Sequence, residues 1–373
     1  MKICFPFLAQ VHQAFHSLPI ALEIAIRHPQ AEVHLASPDA ELLEAIRKLA
    51  TAYAPDAQVT FDRLRLPPFH RARVEQDGET PPKSLTLLWN AFYFRRFDAL
   101  VVPERTSLVL KRYLPRTRFI WTRHGAGDRA IGFEEDVGQF DFVLMAGTKI
   151  EDRLRRGGLI RDGHYASGVY AKFDLIRSLE RKPLFANGRP TILYNPHFRP
   201  SLSSWPRWGR TVLDQLARSD RFNLIFAPHI RLFYPPTPEK YAEFSDYAQL
   251  PNVRIDLGSM ASADMTYTEA ADLYLGDVSS QVAEFVTRPR PCLFLDAHHV
   301  DWRHNPDYRF WELGPVVEDV VQLGPAIERA FASHDEYRQR QLEYVEDTFG
   351  SLEEPTSLRA ADAIVAYLRR QGR

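Results

Sequence analysis

Residues 271–296 read ADLYLGDVSSQVAEFVTRPRPCLFLD. An apolar run, DLYLGD, ends on a glycine and an acid. Two serines come next, then SQVAEFVT with helical character, then a second apolar run, CLFLDA. Strand, helix and strand in so short a space make a βαβ unit, whose strands lie parallel. Neither run alternates cleanly between apolar and polar residues, which suits strands covered on both faces.

The same grammar runs through the chain. KICFPFL, AEVHLAS, AQVTFDRLRL, ALVVPE, RFIWTRHG, FDFVLMAG and HYASGV are strand candidates, with helical stretches between most of them. AQVHQAFHS reads as a polar, histidine-bearing loop entering the helix LPIALEIAIRH. Pro38 begins a second helix, PDAELLEAIRKLA, with acids in its first turns. Residues 177–190 carry basic residues, Pro and Gly, and read as a linker. Beyond it TILYNPHF, FNLIFAPH, VRIDLG, DLYLGD and CLFLDA form a second series, with the helix WGRTVLDQLARS after the first of them. The expected fold class is α/β, two doubly wound Rossmann-like domains facing an inter-domain cleft, with ligands at the carboxyl ends of the strands. The expected boundaries are 1–180, 181–350, and a C-terminal helix in 351–373 that packs back on the first domain. No internal short repeat is read from the sequence.

A chain of 373 residues suits two cores better than one. With 45% hydrophobic and 25% charged residues and a net charge of -1, nothing points to a nucleic-acid partner. Cys4 and Cys292 sit in apolar runs and read as core thiols. The start MKICFPFLAQ is broken by Pro6 and lacks a small-residue cleavage site, so no signal peptide is read. The expected location is cytoplasmic, with attachment to the inner face of the cell membrane left open. Residues 83–97, KSLTLLWNAFYFRRF, leave two readings open: an amphipathic patch resting on anionic lipid, or a helix packed on the first sheet with its arginines in water.

Polar clusters lie just after several of the apolar runs. Ser279 and Ser280 precede a helix, where a serine cap and a phosphate site draw on the same free N–H groups. Glu284, one turn further on, is placed to accept from the two hydroxyls of a ribose. IWTRHGAGDRAIG sets His124 after a strand and beside glycines, suited to proton transfer. LIFAPHIR supplies His229 and Arg231, a cation pair suited to a diphosphate, and ILYNPHFR adds a polar cluster of Asn195, His197 and Arg199. On the acceptor side His12, His16, Asp128 and Arg129 are candidates. DAHHVDWRH matches no defensible metal spacing, so neither a metal nor a cofactor is expected. No Walker lysine motif, G-x-G-x-x-G, CxxC pair, HExxH or G-x-S-x-G is present.

Taken in order, these segments resemble the CDP-glycerol glycerophosphotransferase family, the teichoic-acid-polymerase-like transferases with a GT-B fold. WTRHGAGDRAIGF is similar to the family's Trp-His-Gly segment. Gly168 to Asp174 stand where it has Gly-Tyr-Pro-Arg-x-Asp, and FAPHIR where it has Lys-x-His-Pro. ADLYLGDVSSQVAEFVTRPRPCLFLD is similar to its Ala-Asp-x-x-x-x-Asp-x-Ser-Ser with the helix and strand after it. The resemblance implies a CDP-activated polyol donor and a lipid-linked or polysaccharide acceptor. It implies His124 as general base on the acceptor and His229 as a catalytic group at the donor diphosphate. Arg199, Arg231, Asp277, Ser279, Ser280 and Glu284 would bind the donor.

The sequence departs from that pattern where the donor would lie. Ala227 stands for the family's lysine, Ile230 for the proline after the histidine, and Val278 for an aromatic. Tyr170, Ala171 and Lys172 replace Pro-Arg-x. Two other readings therefore stay open. One is a metal-independent glycosyltransferase or epimerase using a UDP- or GDP-sugar. The other is a nucleotide-binding protein without turnover.

Overall fold

KICFP, the core of the first apolar run, forms β1 (Lys2–Pro6). The structure, a computed structural model, describes residues 1–8, 13–68, 82–123, 125–126, 133–179 and 182–372. Two units divide the chain: Met1–Gly125, Ile131–Leu179 and Thr348–Arg373 in the first, Ala126–Ala130 and Glu180–Asp347 in the second.

In the first unit β2 (Glu32–Ser37), β3 (Val59–Arg63), β4 (Ala99–Val102), β5 (Arg118–Thr122), β6 (Phe142–Leu144) and β7 (Tyr165–Ala166) join β1. The strand order is β3-β2-β1-β4-β5-β6-β7, and every pairing is parallel. Both faces are buried, which explains the weak alternation. Ile3, Phe5, Val101 and Ile120 belong to one apolar cluster, whereas Cys4, Leu100, Val102, Phe119 and Trp121 belong to another. Cys4 is thus a buried free thiol, as is Cys292 in the second unit.

Local chemistry sets the helix ends. α1 (Ala14–Arg27) begins earlier than the loop reading placed it, because its buried stripe already starts at Ala14 and Phe15. α2 (Ala40–Tyr53) is capped by Asp39, whose carboxylate accepts the N–H groups of Glu41 and Leu42, so Pro38 lies outside the helix. Residues 83–97 give two short helices, α3 (Lys83–Trp89) and α4 (Ala91–Phe94). Asn90 breaks them, its amide bonding the carbonyls of Thr86 and Arg65 and the N–H of Arg65. Leu87, Phe94 and Phe97 pack into the core under the first sheet. Phe92 stays 87% and Trp89 49% exposed.

The C-terminal helix (Thr356–Arg370) belongs to the first unit's core, where Ala360, Ala361, Ile364, Val365 and Leu368 share a cluster with Leu18, Ala21 and Leu22 of α1. Its own N-cap, Pro355, offers no side-chain bond. Asp174, on α5 (Lys172–Arg177), supplies the cap from elsewhere in the chain. Its Oδ2 accepts the Ser357 N–H at 2.6 Å and the Thr356 hydroxyl at 3.3 Å. Gly168 stands close by with φ +72°, and a Cβ there would lie 2.4 Å from the Arg359 guanidinium, whose Nη1 donates to the Gly168 carbonyl.

The second unit repeats the plan. β8 (Thr191–Asn195), β9 (Asn223–Phe226), β10 (Val253–Ile255), β11 (Leu273–Gly276), β12 (Cys292–Leu295) and β13 (Val316–Val317) form a parallel sheet in the order β10-β9-β8-β11-β12-β13. β13, two residues long, is absent from the sequence reading. α6 (Trp205–Ala217) buries Val212, Leu213 and Leu216 against the cluster built on Ile192, Leu224, Leu273 and Leu293. Among the described residues no helix is long and apolar enough to cross a membrane.

Removal of the borrowed cap tests this account of the C-terminal helix. Asp174→Ala is expected to cost about 1–2 kcal/mol, read as a lower urea midpoint at unchanged slope. A midpoint equal to wild type would refute it.

Candidate functional site

β8 and β9 are neighbours, and each runs into the same four-residue pattern: Pro196-His197-Phe198-Arg199 and Pro228-His229-Ile230-Arg231. Tyr194 is registered with Phe226, so each histidine lies three residues past a matched pair. Proline, histidine and arginine recur in step, an internal repeat that the sequence reading missed.

The two turns close alike. His197 Nδ1 accepts the Arg199 N–H at 3.0 Å, and His229 Nδ1 accepts the Arg231 N–H at 3.2 Å. A neutral imidazole that accepts at Nδ1 carries its proton on Nε2, so both rings are the Nε2–H tautomer when neutral. Backbone bonds lock the turns together: the His229 N–H donates to Pro196 O, the Ala227 N–H to Tyr194 O, and the Asn195 amide to Ala227 O. The two imidazole centroids are 5.4 Å apart at a steep angle, with the Phe198 ring 4.4 Å from His197 and 4.6 Å from His229. The Arg231 guanidinium lies 4.5 Å from the centre of the Phe198 ring and that of Arg199 5.8 Å. His197 is buried, His229 half-buried, and both arginines are exposed. Among the described residues no carboxylate pairs with either arginine. The edge is therefore a cation pair held on an aromatic plate, suited to a multiply charged anion.

The β11 turn adjoins β8, with Gly276 registered to Asn195. Asp277, expected to touch a donor, is only 1% exposed and turns inward instead. Its Oδ2 accepts the N–H of His197 and that of Ser204 at 2.9 Å each, and its Oδ1 accepts the Ser204 hydroxyl at 2.6 Å. Its carbonyl accepts the Trp311 indole N–H at 2.8 Å. Burial raises the carboxyl to about 7, against the pull of the Ser204 hydroxyl and of the His197 and Ser204 amides. Asp277 is thus a positioning residue for the His197 turn.

The two serines divide their tasks. Ser279 is buried, and its Oγ accepts the Gln281 N–H at 3.3 Å. Ser280 is the capping residue by position, but its hydroxyl makes no cap bond and the residue is exposed. The helix behind them, α7 (Gln281–Phe285), has 5 residues rather than the longer SQVAEFVT stretch. Arg290 ends it, its guanidinium donating to the carbonyls of Phe285, Thr268 and Ala271. A helix this short gives a weak dipole, so the side chains must supply most of any anion binding. Glu284, the expected ribose partner, is 5% exposed. In the β12 turn, Asp296 bonds the N–H groups of His298 and Val300, and the His298 ring meets the Ser203 carbonyl.

The remaining candidates lie earlier in the chain. His16 lies not in a loop but in the first turn of α1, buried edge-on against Tyr170 with ring centroids 4.9 Å apart. His12, His124, Asp128 and Arg129 lie outside the described residues. Arg123, just after β5, sits 4.3 Å from the centre of the Phe133 ring, and burial lowers its guanidinium to about 10, still cationic at neutral pH.

No family model matches the chain, and no curated protein matches it. Solved structures do. A variant of the wall teichoic acid polymerase TagF soaked with CDPG is similar over 99% of this chain and 89% of its own, with a TM-score of 0.65 and 14% identity. The UDP-GlcNAc 2-epimerase from Neisseria meningitidis, bound to UDP-GlcNAc, is similar over 100% of both chains, with a TM-score of 0.60 and 12% identity. The S. aureus MnaA–UDP structure covers 99% of this chain and 96% of its own, with a TM-score of 0.65 and 12% identity. The fold is GT-B. These likenesses confirm the α/β class and the paired parallel sheets.

The buried Asp277 makes a pH-dependent prediction. Its folded value lies above that of an unfolded aspartate, so the stability it contributes is complete below about pH 4 and fades as pH rises through about 7. Wild type is expected to lose on the order of 2 kcal/mol relative to Asp277→Asn between about pH 4.5 and 8, read from paired denaturant melts. A constant difference would contradict the assignment.

Proposed function

We propose that the carboxyl edge of the second sheet binds the diphosphate of an activated nucleotide. On this reading the chain moves a glycerol-phosphate or similar polyol-phosphate unit from a CDP-activated donor to a hydroxyl of a lipid-linked or polysaccharide acceptor. The pair of Pro-His-x-Arg turns supports it best. Two exposed arginines stand on the turns after adjacent strands, beside the half-buried His229, and among the described residues no carboxylate neutralises the arginines.

Each group has a role in that scheme. Arg199 and Arg231 hold the diphosphate and His229 donates to the bridging or leaving oxygen, so that CMP departs with its charge matched. The exposed Ser280 hydroxyl and Ser279 meet a phosphate, and Glu284 meets the ribose. His124 takes the proton from the acceptor hydroxyl as the new bond forms. His12, His16, Asp128 and Arg129 lie on the acceptor side. A lipid-linked acceptor also needs a surface, and we assign it to Trp89 and Phe92 with the exposed arginines Arg95 and Arg96.

The second reading is a UDP- or GDP-sugar glycosyltransferase or epimerase. The same cation edge serves it, and the likeness to the UDP-GlcNAc 2-epimerase, at a TM-score of 0.60, favours it about as much as the likeness to TagF favours the first. A nucleotide-binding protein without turnover is the third. It gains if His124→Ala leaves nucleotide affinity intact and wild type transfers nothing.

Calorimetric titration with CMP, CDP, UDP, GDP and CDP-glycerol separates these. Selective binding of the cytidine compounds supports the polyol-phosphate reading, and selective binding of UDP or GDP replaces it. With whichever diphosphate binds, Arg199→Ala and Arg231→Ala are each expected to weaken binding by about 1.5–3 kcal/mol, and the monophosphate by less. Equal losses for both would remove the diphosphate from these arginines.

The surface assignment is tested by vesicle sedimentation. Wild type is expected to pellet with phosphatidylglycerol vesicles and not with phosphatidylcholine, and Trp89→Ser with Phe92→Ser to stay in solution. Failure of wild type to pellet would remove the membrane contact.

A further inference from the structure

One face of β11 carries a polar side chain where packing asks only for an apolar one. Leu273 and Leu275 join the cluster against α6, so Tyr274 and Gly276 point to the other face of the sheet. Tyr274 is fully buried there, its ring 5.7 Å from that of Phe285 and 6.3 Å from that of Phe294. A phenylalanine would fill the same space, and a buried hydroxyl costs free energy unless it is bonded. This hydroxyl is bonded across the sheet. It donates to Asn195 Oδ1, at the end of β8, at 3.2 Å. The Asn195 amide donates in turn to the Ala227 carbonyl, just after β9, at 2.6 Å. Asn195 is itself fully buried, so its side chain serves the two neighbouring strands.

Chemistry and sterics fix this relay in one arrangement. The Ala227 carbonyl can accept only from the amide NH2 of Asn195, which leaves the amide oxygen for the phenol O–H, so neither end tolerates a flipped amide. Burial, with Asp277 nearby, raises the phenol well above its usual range, and the Ser279 hydroxyl opposes that shift. Tyr274 therefore stays protonated and remains a donor to Asn195. Gly276 keeps the path open. A Cβ there would stand 2.8 Å from the Tyr274 hydroxyl and 2.9 Å from the Asn195 carbonyl oxygen. The relay thus begins beside Ser279, crosses β8 and ends on the residue that opens the Pro228-His229-Ile230-Arg231 turn.

We propose that Tyr274 is a positioning residue for the donor edge, acting through Asn195 to hold the His229–Arg231 turn in step with the Ser279 turn. It touches no ligand itself. The role rests on the diphosphate site proposed above, because a ligand that spans arginines and serines needs the β9 and β11 turns at one spacing. Asp277 ties the β8 turn to β11, and the Tyr274–Asn195 relay ties the β9 turn to the same strand. A turn ordered before binding loses less entropy when the ligand arrives.

Calorimetry on the full chain with CDP and UDP tests it, together with amide hydrogen exchange in the absence of ligand. Tyr274→Phe keeps the ring and is expected to weaken binding of whichever diphosphate wild type takes by about three- to tenfold. In an Arg231→Ala background the same substitution is expected to change affinity by less than about twofold, since the turn it positions has lost its charge. Equal losses with and without Arg231 overturn the proposal, because a general structural defect would act alike in both. So does wild-type affinity in Tyr274→Phe. Without ligand, the Ala227 and His229 amides are expected to exchange at least about threefold faster in Tyr274→Phe, with Val212 and Leu213 of α6 at wild-type rates. Unchanged exchange at Ala227 and His229 overturns the proposal, as does equal acceleration in α6. Asn195→Ala cuts the relay at its middle and carries the same measurements if Tyr274→Phe does not fold. Wild type that binds neither diphosphate retires the donor reading, and exchange alone then decides whether the relay holds the turn.

Discussion

One buried carboxylate shapes the candidate donor edge. Asp277 has left water, which costs several kcal/mol for an ionised group, and burial holds its carboxyl near 7 rather than in the usual range. A set of three short bonds, to the His197 and Ser204 amides and the Ser204 hydroxyl, offsets that cost. Those bonds join the end of β11 to the connection that leaves β8 for α6. The turn bearing His197, Phe198 and Arg199 is thereby fixed to the strand that leads into Ser279 and Ser280. Without that strut the β8–α6 connection would have to order its cations on binding, at an entropic cost to affinity.

The turns themselves use little material. Each histidine commits its Nδ1 to the backbone N–H two residues ahead, which fixes the ring and, for the neutral form, its Nε2–H tautomer. Phe198 packs against both imidazoles and against the Arg231 guanidinium. This arrangement matters because α7 is short. A longer helix would focus partial positive charge at its first turn. Here Arg290 ends the helix after Phe285, and formal charge on side chains replaces the dipole.

How much of this was legible in the sequence depends on the range of the interactions. The parallel strands were legible because burial on both faces leaves short apolar runs, as in Cys4 beside Ile3 and Phe5. β13 was not, since Val316 and Val317 carry no periodicity. Helix starts moved by a few residues where capping or packing, not composition, decided them, as at Asp39 and Ala14. Asp174 capping Ser357 and Asp277 bonding His197 were invisible, because both join residues distant in sequence. The Pro-His-x-Arg pair was visible but unread. Its meaning depends on β8 and β9 being neighbours in register, which composition alone does not state.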